Sequence, residues 1–423
     1  MPIADVEDPA VATLIAIGPF LGVAAFALII PANHTLFELF ARPGDRRDGT
    51  LYGLAAFALT AAGIGILVVG FQMPAYVFVS TVLLLAFGNL IGQLVRWYTD
   101  QSLLAVGAFV AGGFLAASVG QFVTVHATDA DPAWQALAFL AASGALTAAL
   151  VRETLFRRDD PLVMVSVALL LWLLGGLVGD VTTTRIAVAL VVTVGLGYAS
   201  FALGAASIAG MLTGTLLSLL TIVLGGYGWF AMLVGFFGIG GLSSKYRYDR
   251  KVARGIAQEN EGARGTGNVL ANSLVALVAV LGLRLGPELG IPEAVFFYAF
   301  AGSIAAALAD TLSSELGGLY DNPRLITTLE VVEPGTDGAV TWQGTVFGFL
   351  GAVVIAGIGL IDGLALAGTA LIVLAGVVGM TVDSILGATI EGRYVGNQGV
   401  NFLATVAAAI AAVVVAVTVG VSV

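Results

Sequence analysis

Apolar runs recur along the whole chain with little polar interruption, each about 18–22 residues long and able to cross roughly 30 Å of hydrocarbon. They predict about fourteen membrane-spanning helices, near residues 10–31, 51–71, 74–92, 102–124, 133–151, 162–179, 185–201, 203–222, 226–242, 267–284, 291–309, 342–361, 364–383 and 400–420. Runs such as Leu83–Phe87 lack the alternation of a membrane β-barrel strand. The fold class is therefore all-α, a polytopic helical membrane protein.

The polar residues between the runs set an orientation. With the N-terminus outside, 15 of the 17 basic residues fall on the inner side, and only Arg185 and Arg284 remain outside. The inner set includes Arg42, Arg46, Arg47, Arg96, Arg152, Arg157, Arg158, the cluster from Lys245 to Arg264, Arg324 and Arg393, whereas the base-free loop with Asp129 and Asp131 lies outside. The N-terminus carries Asp5, Glu7 and Asp8 and no base, so the first run is expected to stay in the membrane rather than act as a cleaved signal. Both termini are expected outside, in the cell membrane.

Composition narrows the chemistry. Charged residues make up 10% of the 423 positions, and the mean hydropathy is +1.01. Cysteine is absent and His34 and His126 are the only histidines, which excludes thiolate and histidine zinc sites and disfavours a Ser-His-Asp triad. A metal here would be a hard cation on oxygen ligands. A net charge of −10 argues against a nucleic-acid partner. Many of the 56 glycines lie inside apolar runs, where small residues let helices approach closely.

The longest polar passage runs from Ala309 to Thr345, and three constellations surround it. Asp310 closes an apolar run and is followed by Ser313, Ser314 and Glu315. In a continuous helix Glu315 points about 140° away from Asp310, so either the helix ends near Ser313 or the two acids meet different partners. The basic loop 243–265, with Lys245 and Arg264, leads into GTGNVLANS, where Asn268 and Asn272 share one helical face. Arg264 would sit at that helix's N-terminus, a natural place for an anion. In the third constellation, 382–402, Asp383 closes a run as Asp310 does, and Asn397 and Asn401 repeat the amide spacing; Arg393 lies between Asp383 and Asn397. Arg324, Thr327 and Thr328 in PRLITT add donors suited to phosphate. No Walker A or GxGxxG pattern occurs.

The ordered series ALGAASIAGMLTG (202–214), RGTGNVLAN (264–272), ADTLSSELG (309–317), PRLITT (323–328), PGTDGAVTWQGT (334–345) and DSILGA (383–388) resembles the integral membrane family that includes phytyl-phosphate kinase. The first half is faintly similar to polyprenol and phytol kinases through RRDGTLYG (46–53) and GNLIGQLVR (88–96), with Asn89 where that group carries an acid. This divides the chain into an N-terminal membrane domain, 1–198, and a kinase-like domain, 199–423. The resemblance implies Mg²⁺-dependent phosphoryl transfer from a nucleoside triphosphate, CTP being the usual donor, to an isoprenoid lipid monophosphate. In that scheme Asp310, Glu315 and Asp383 hold Mg²⁺, while Lys245, Arg264, Arg324, Arg393, Thr327 and Thr328 meet phosphates. Asn268, Asn272 and Asn401 orient them. An ion-coupled transporter is the alternative, and a non-catalytic lipid-binding or assembly protein a third.

Overall fold

The computed structural model describes residues 9–41, 43–128, 132–155, 160–258 and 263–421. Asp5, Glu7, Asp8, Arg42, Asp129, Asp131, Arg157 and Arg158, and positions 259–262 of the basic loop, lie outside the described residues. The helices follow the apolar runs, and among the described residues thirteen are long and apolar enough to cross a membrane. The chain divides into two compact units, Met1–Ile186 and Ala187–Val423.

The first unit contains α1 (Pro9–Ile29), two short helices α2 (Thr35–Phe40) and α3 (Pro43–Asp48), then α4 (Tyr52–Gly70), α5 (Ala75–Tyr98), α6 (Ser102–Ala127), α7 (Trp134–Thr154) and α8 (Asp160–Leu177). Helices α5 and α6 pack at backbone distance. A methyl group on Gly92 would lie 3.3 Å from the Ala105 carbonyl oxygen, and one on Gly113 3.1 Å from that of Leu84. Asn89 and Arg152 meet the buried Asp160. Arg152 donates to Asp160 at 2.9 Å and to the Asn89 side-chain oxygen, and Asn89 donates to Asp160 at 3.1 Å. Asp160 of α8 thus places a carboxylate beside Asn89 of α5.

Helix α9 (Thr183–Ala202) begins at the boundary between the units. The second unit continues with α10 (Ile208–Leu220), a π-turn at Thr221–Gly225, α11 (Tyr227–Lys245), α12 (Tyr248–Ala253), α13 (Thr266–Leu289), α14 (Glu293–Gly317), strands β1 (Arg324–Leu325) and β2 (Ala339–Val340), α15 (Trp342–Ile361), α16 (Leu366–Thr389) and α17 (Asn397–Val419). The strands are antiparallel, with Arg324 opposite Val340 and Leu325 opposite Ala339.

Helix α14 is the hub, packing against α11, α13, α15, α16 and α17. Its sequence explains why. The run Ala305, Ala306, Ala307, Leu308, Ala309 is wholly buried and mostly small. Gly344 and Gly351 of α15 face the Ser313 and Leu308 carbonyls, where an added methyl would sit at 2.8 and 3.1 Å. Gly379 of α16 packs against the Ala306 methyl group. In a bilayer, such contacts replace the hydrophobic drive with dense van der Waals packing.

Several helices run past their apolar segments. α14 reaches Gly317, α16 reaches Thr389, and α17 starts at Asn397. The predicted ends at 309, 383 and 400 fall short because hydropathy marks only where a helix can face lipid. An i→i−4 ladder continues through polar residues wherever neighbouring helices cover them. Helix α14 does not break near Ser313, so its two acids meet different partners.

Candidate functional site

The last turns of α14 carry Asp310, Thr311 and Glu315, and each faces a different neighbour. Asp310 meets Asp383 of α16, and the two carboxyl groups lie within hydrogen-bonding reach of each other. Asp383 Oδ2 is buried and has no hydrogen-bond partner among the described residues. Two acids that each close an apolar run in the sequence are therefore brought together, 73 positions apart in the chain (383 − 310).

Glu315 turns away from that pair. Its Oε2 lies 2.5 Å from Lys251 Nζ of α12, and Lys251 also donates to the Ser243 and Ser244 carbonyls at 2.7 and 3.1 Å. Lys251 is 1% and Glu315 5% exposed. All three ammonium donors are used, which offsets the cost of burying a lysine in so dry a place. The three-carboxylate metal set is accordingly not assembled, and no group of three histidine or carboxylate side chains placed to hold a metal occurs among the described residues. Lys251 was missed by sequence reading because it looks like one more base in a positive-inside loop; its only signal was the spacing to the end of α11.

Arg264 sits on the Thr311 side. The main chain at 264 is fixed first: its N–H donates to the Ala205 carbonyl at 2.9 Å, and its own carbonyl accepts from Ser207 at 3.2 Å. The side chain is then driven inward, its guanidinium carbon 5.0 Å from the centre of the Phe236 ring. Gly240 makes the room. A methyl there would lie 2.6 Å from Arg264 Nη2 and 3.4 Å from the Thr311 methyl. Arg264 Nε and Nη1 are buried without a hydrogen-bond partner among the described residues. Burial pushes this guanidinium down to about 10, with the negative charge of Glu315 opposing the shift. Unused donors on a buried cation cost several kcal/mol, about 1–3 for each polar group left unpaired, unless an anion takes them.

The amides divide. Asn268 Oδ1, on the first turn of α13, is buried and unpartnered among the described residues. Asn272 spends its Nδ2 on the Asn268 main-chain carbonyl at 2.9 Å. Asn401 is 9% exposed and faces Asn397 at 3.5 Å, the long end of a hydrogen bond. Gln398 packs on Gly267, tying the start of α17 to the start of α13.

Glu391, just past α16, is a further acid of this cluster. Its charge is felt by both Asp310 and Asp383. Burial, then the charge of Asp337, raises its carboxyl above the usual range, and a hydrogen bond with Asn397 pulls the other way. The hairpin delivers Asp337 here: Gly338 adopts φ +75° and lies against Ser384 and Ala388 of α16, where a side chain would be both strained and blocked.

The remaining expected residues stay outside the cluster. Lys245 Nζ donates to the Leu203 carbonyl at 2.5 Å, closing the end of α9. Arg324 donates to the Leu329 carbonyl at 2.6 Å and so steadies a loop in which Leu329 has φ +62°. Thr327, Thr328 and Arg393 are exposed, and Arg393 stacks on Tyr394 with its guanidinium carbon 5.0 Å from the ring centre.

The profile described as integral membrane protein DUF92 matches residues 191–409, the stretch that holds this cluster. The chain belongs to the DUF92 family. An uncharacterised membrane protein of Methanocaldococcus jannaschii is 37% identical over 207 residues, covering 47% of this chain and 80% of that protein. A second uncharacterised membrane protein, from Synechocystis, is 32% identical over 198 residues, 44% of this chain and 74% of its own length. The chloroplastic protein VTE6 of Arabidopsis thaliana is 30% identical over 190 residues, 44% of this chain and 57% of VTE6. No solved structure matches the chain. The DUF92 match covers the six quoted motifs, so membership and the motif resemblance rest on the same residues.

Proposed function

We propose that this DUF92 protein is a prenyl-phosphate kinase, transferring a phosphoryl group from a nucleoside triphosphate, with CTP favoured, to a polyprenyl monophosphate at the cytoplasmic membrane face. The observation that carries the reading is the pairing of Asp310 with Asp383, one oxygen of which is buried and unpartnered, on the same helix end as a buried Arg264 with two unused donors. Opposed charges left unsatisfied in one place are what a metal–phosphate ligand would complete.

Asp310 and Asp383 offer the hard carboxylate oxygens that Mg²⁺ prefers, and Mg²⁺ commonly takes only one or two protein carboxylates alongside substrate phosphates. When bound, Mg²⁺ would neutralise charge on the phosphates. Arg264 contributes fixed positive charge and directional N–H donors, and Asn268 an acceptor beside it. Phosphoryl transfer needs chiefly such positioning and charge stabilisation, with little covalent chemistry from the protein. Similarity to VTE6 and the motif resemblance support the same reading.

The second reading, ion-coupled transport, draws on one observation: Asp310 and Asp383 both lie within helices long enough to span a membrane, where ionisable groups mark ion pathways. One assay separates them. Purified protein with Mg²⁺, radiolabelled CTP or ATP and farnesyl, geranylgeranyl or phytyl monophosphate should yield labelled prenyl diphosphate. No transfer with any donor, in protein shown to be folded, would overturn the kinase reading.

A further inference from the structure

Two buried cations stand about one turn apart in the seam between α11 and α14. Gly240 of α11 and Thr311 of α14 meet at Arg264, since a methyl on Gly240 would touch both Arg264 Nη2 and the Thr311 methyl. Four residues further along each helix, Ser244 and Glu315 meet at Lys251. Its Nζ donates to the Ser244 carbonyl at 3.1 Å and to Glu315 Oε2 at 2.5 Å. Four residues of helix advance about 6 Å. Helical side chains lean toward the N-terminus, which for Glu315 is toward Thr311 and Arg264. The one carboxylate is therefore within reach of either cation, and its charge is already felt by Arg264.

The charges in the seam do not cancel. Lys251, Arg264 and Glu315 are 1%, 6% and 5% exposed, two cations against one anion. Left to choose, a carboxylate gains more from the two-pronged guanidinium than from an ammonium. Here the ammonium wins because it is anchored first. The Ser243 and Ser244 carbonyls belong to the last turn of α11, where main-chain acceptors lack helical partners and favour a cation. Arg264 finds no such substitute. The Gly240 carbonyl is spent on the Ser243 and Ser244 hydroxyls at 2.7 and 3.0 Å. Arg264 Nε and Nη1 stay unpartnered among the described residues.

We propose that Lys251 is a positioning residue: by holding Glu315 it keeps the Arg264 guanidinium open to a phosphate anion. The proposal rests on the reading of Arg264 as a phosphate ligand, and not on which lipid accepts the phosphoryl group. Glu315 then acts through Lys251 and Arg264 and touches neither metal nor substrate. Without the ammonium, Glu315 swings one turn along α14, takes the two unused donors and closes the anion site from within.

The test uses full-length protein in detergent, titrated calorimetrically with CTP·Mg²⁺ and with inorganic pyrophosphate. The Arg264 Nε–H resonance, assigned by its loss in Arg264→Met, is followed in protein carrying isotope-labelled arginine. Lys251→Met should weaken both ligands about 10- to 100-fold and shift that resonance before any ligand is added. The Lys251→Met/Glu315→Leu variant should bring binding and resonance back toward those of the unaltered protein. Glu315→Gln breaks the same ion pair but leaves Arg264 without a competitor, so its binding should be unchanged or tighter. Lys251→Met also strips two carbonyls of a donor; should it not elute as a folded species, the direction of the Glu315→Gln effect decides. Weaker binding in Glu315→Gln, no recovery in the double variant, or an Arg264 resonance unmoved in Lys251→Met overturns the proposal. So does an unaltered protein that binds neither ligand. Binding that follows the expected pattern in protein that transfers no phosphoryl group would keep the role of Lys251 and remove the kinase reading.

Discussion

Lys251 Nζ and Glu315 Oε2 lie 2.5 Å apart, joining α12 to the end of α14 across 64 positions of sequence. A buried pair is a poor source of net stability, but removing one partner strands the other charge at a cost of about 3–5 kcal/mol. Lys251→Met should therefore lower the melting temperature in detergent sharply. The Lys251→Met/Glu315→Leu double variant should recover most of the loss, since no uncompensated charge remains. A double variant no more stable than Lys251→Met would show that the pair does not carry that load.

The acid pair makes a separable prediction. Asp310→Asn and Asp383→Asn each keep the shape of the side chain and remove one charge. Both should abolish phosphoryl transfer, by at least about 10³-fold, while leaving melting and elution in detergent close to normal. Relieved repulsion between the two carboxyls makes a small gain in stability the expected direction. Near-normal turnover in both variants would sink their assignment to Mg²⁺.

Arg264 is tested most cleanly through its neighbour. A methyl on Gly240 would sit 2.6 Å from Arg264 Nη2, the far end of a flexible side chain. Gly240→Ala should therefore displace the guanidinium without breaking the bundle. Loss of charged hydrogen bonds worth about 1.5–3 kcal/mol predicts roughly 10- to 100-fold weaker nucleotide binding with little change in melting. The pH dependence follows from the lowered guanidinium. A cation whose folded value is depressed to about 10 is a penalty on folding wherever it is protonated, and that penalty lifts only as pH rises through about 10 towards the ordinary guanidinium value. Arg264 stays charged below about pH 9, so its share of anion binding should be flat across neutral pH and fall off near pH 10. Binding that changed at neutral pH in the unaltered protein, but not in Arg264→Met, would contradict this.

How much of this was legible in the sequence varies by element. The spans were, because lipid selects long apolar runs and the bundle obeys the same rule: the predicted 342–361 coincides with α15. The convergence of Asp310 with Asp383 was foreshadowed by their matching positions at the ends of apolar runs. The partition of the acids was only half visible, since helical geometry showed Glu315 pointing away from Asp310 and nothing along the chain named Lys251 as its partner. Lys245 and Lys251 look alike as bases in one loop. One caps α9 and the other is buried against α14, a difference made by tertiary packing. Glu391 escaped selection because it follows the end of α16 beside an arginine, where an exposed pair is the ordinary expectation.

Glu391 supplies the last prediction. Its carboxyl is raised above the usual range, first by burial and then by Asp337, with Asn397 opposing. An acid raised in the folded state binds more protons there than in the unfolded chain, so its contribution to stability falls as pH climbs from the unfolded value of about 4.5 through the folded one. Asp337→Asn removes a neighbouring negative charge and should flatten that fall, whereas Asn397→Ala removes the opposing hydrogen bond and should steepen it. Melting profiles in detergent between about pH 4.5 and 7 read both directly. Opposite shifts from the two variants are the expected signature of one coupled carboxylate at the hairpin's contact with α16. Parallel shifts would mean that both substitutions act on packing, with Glu391 a bystander.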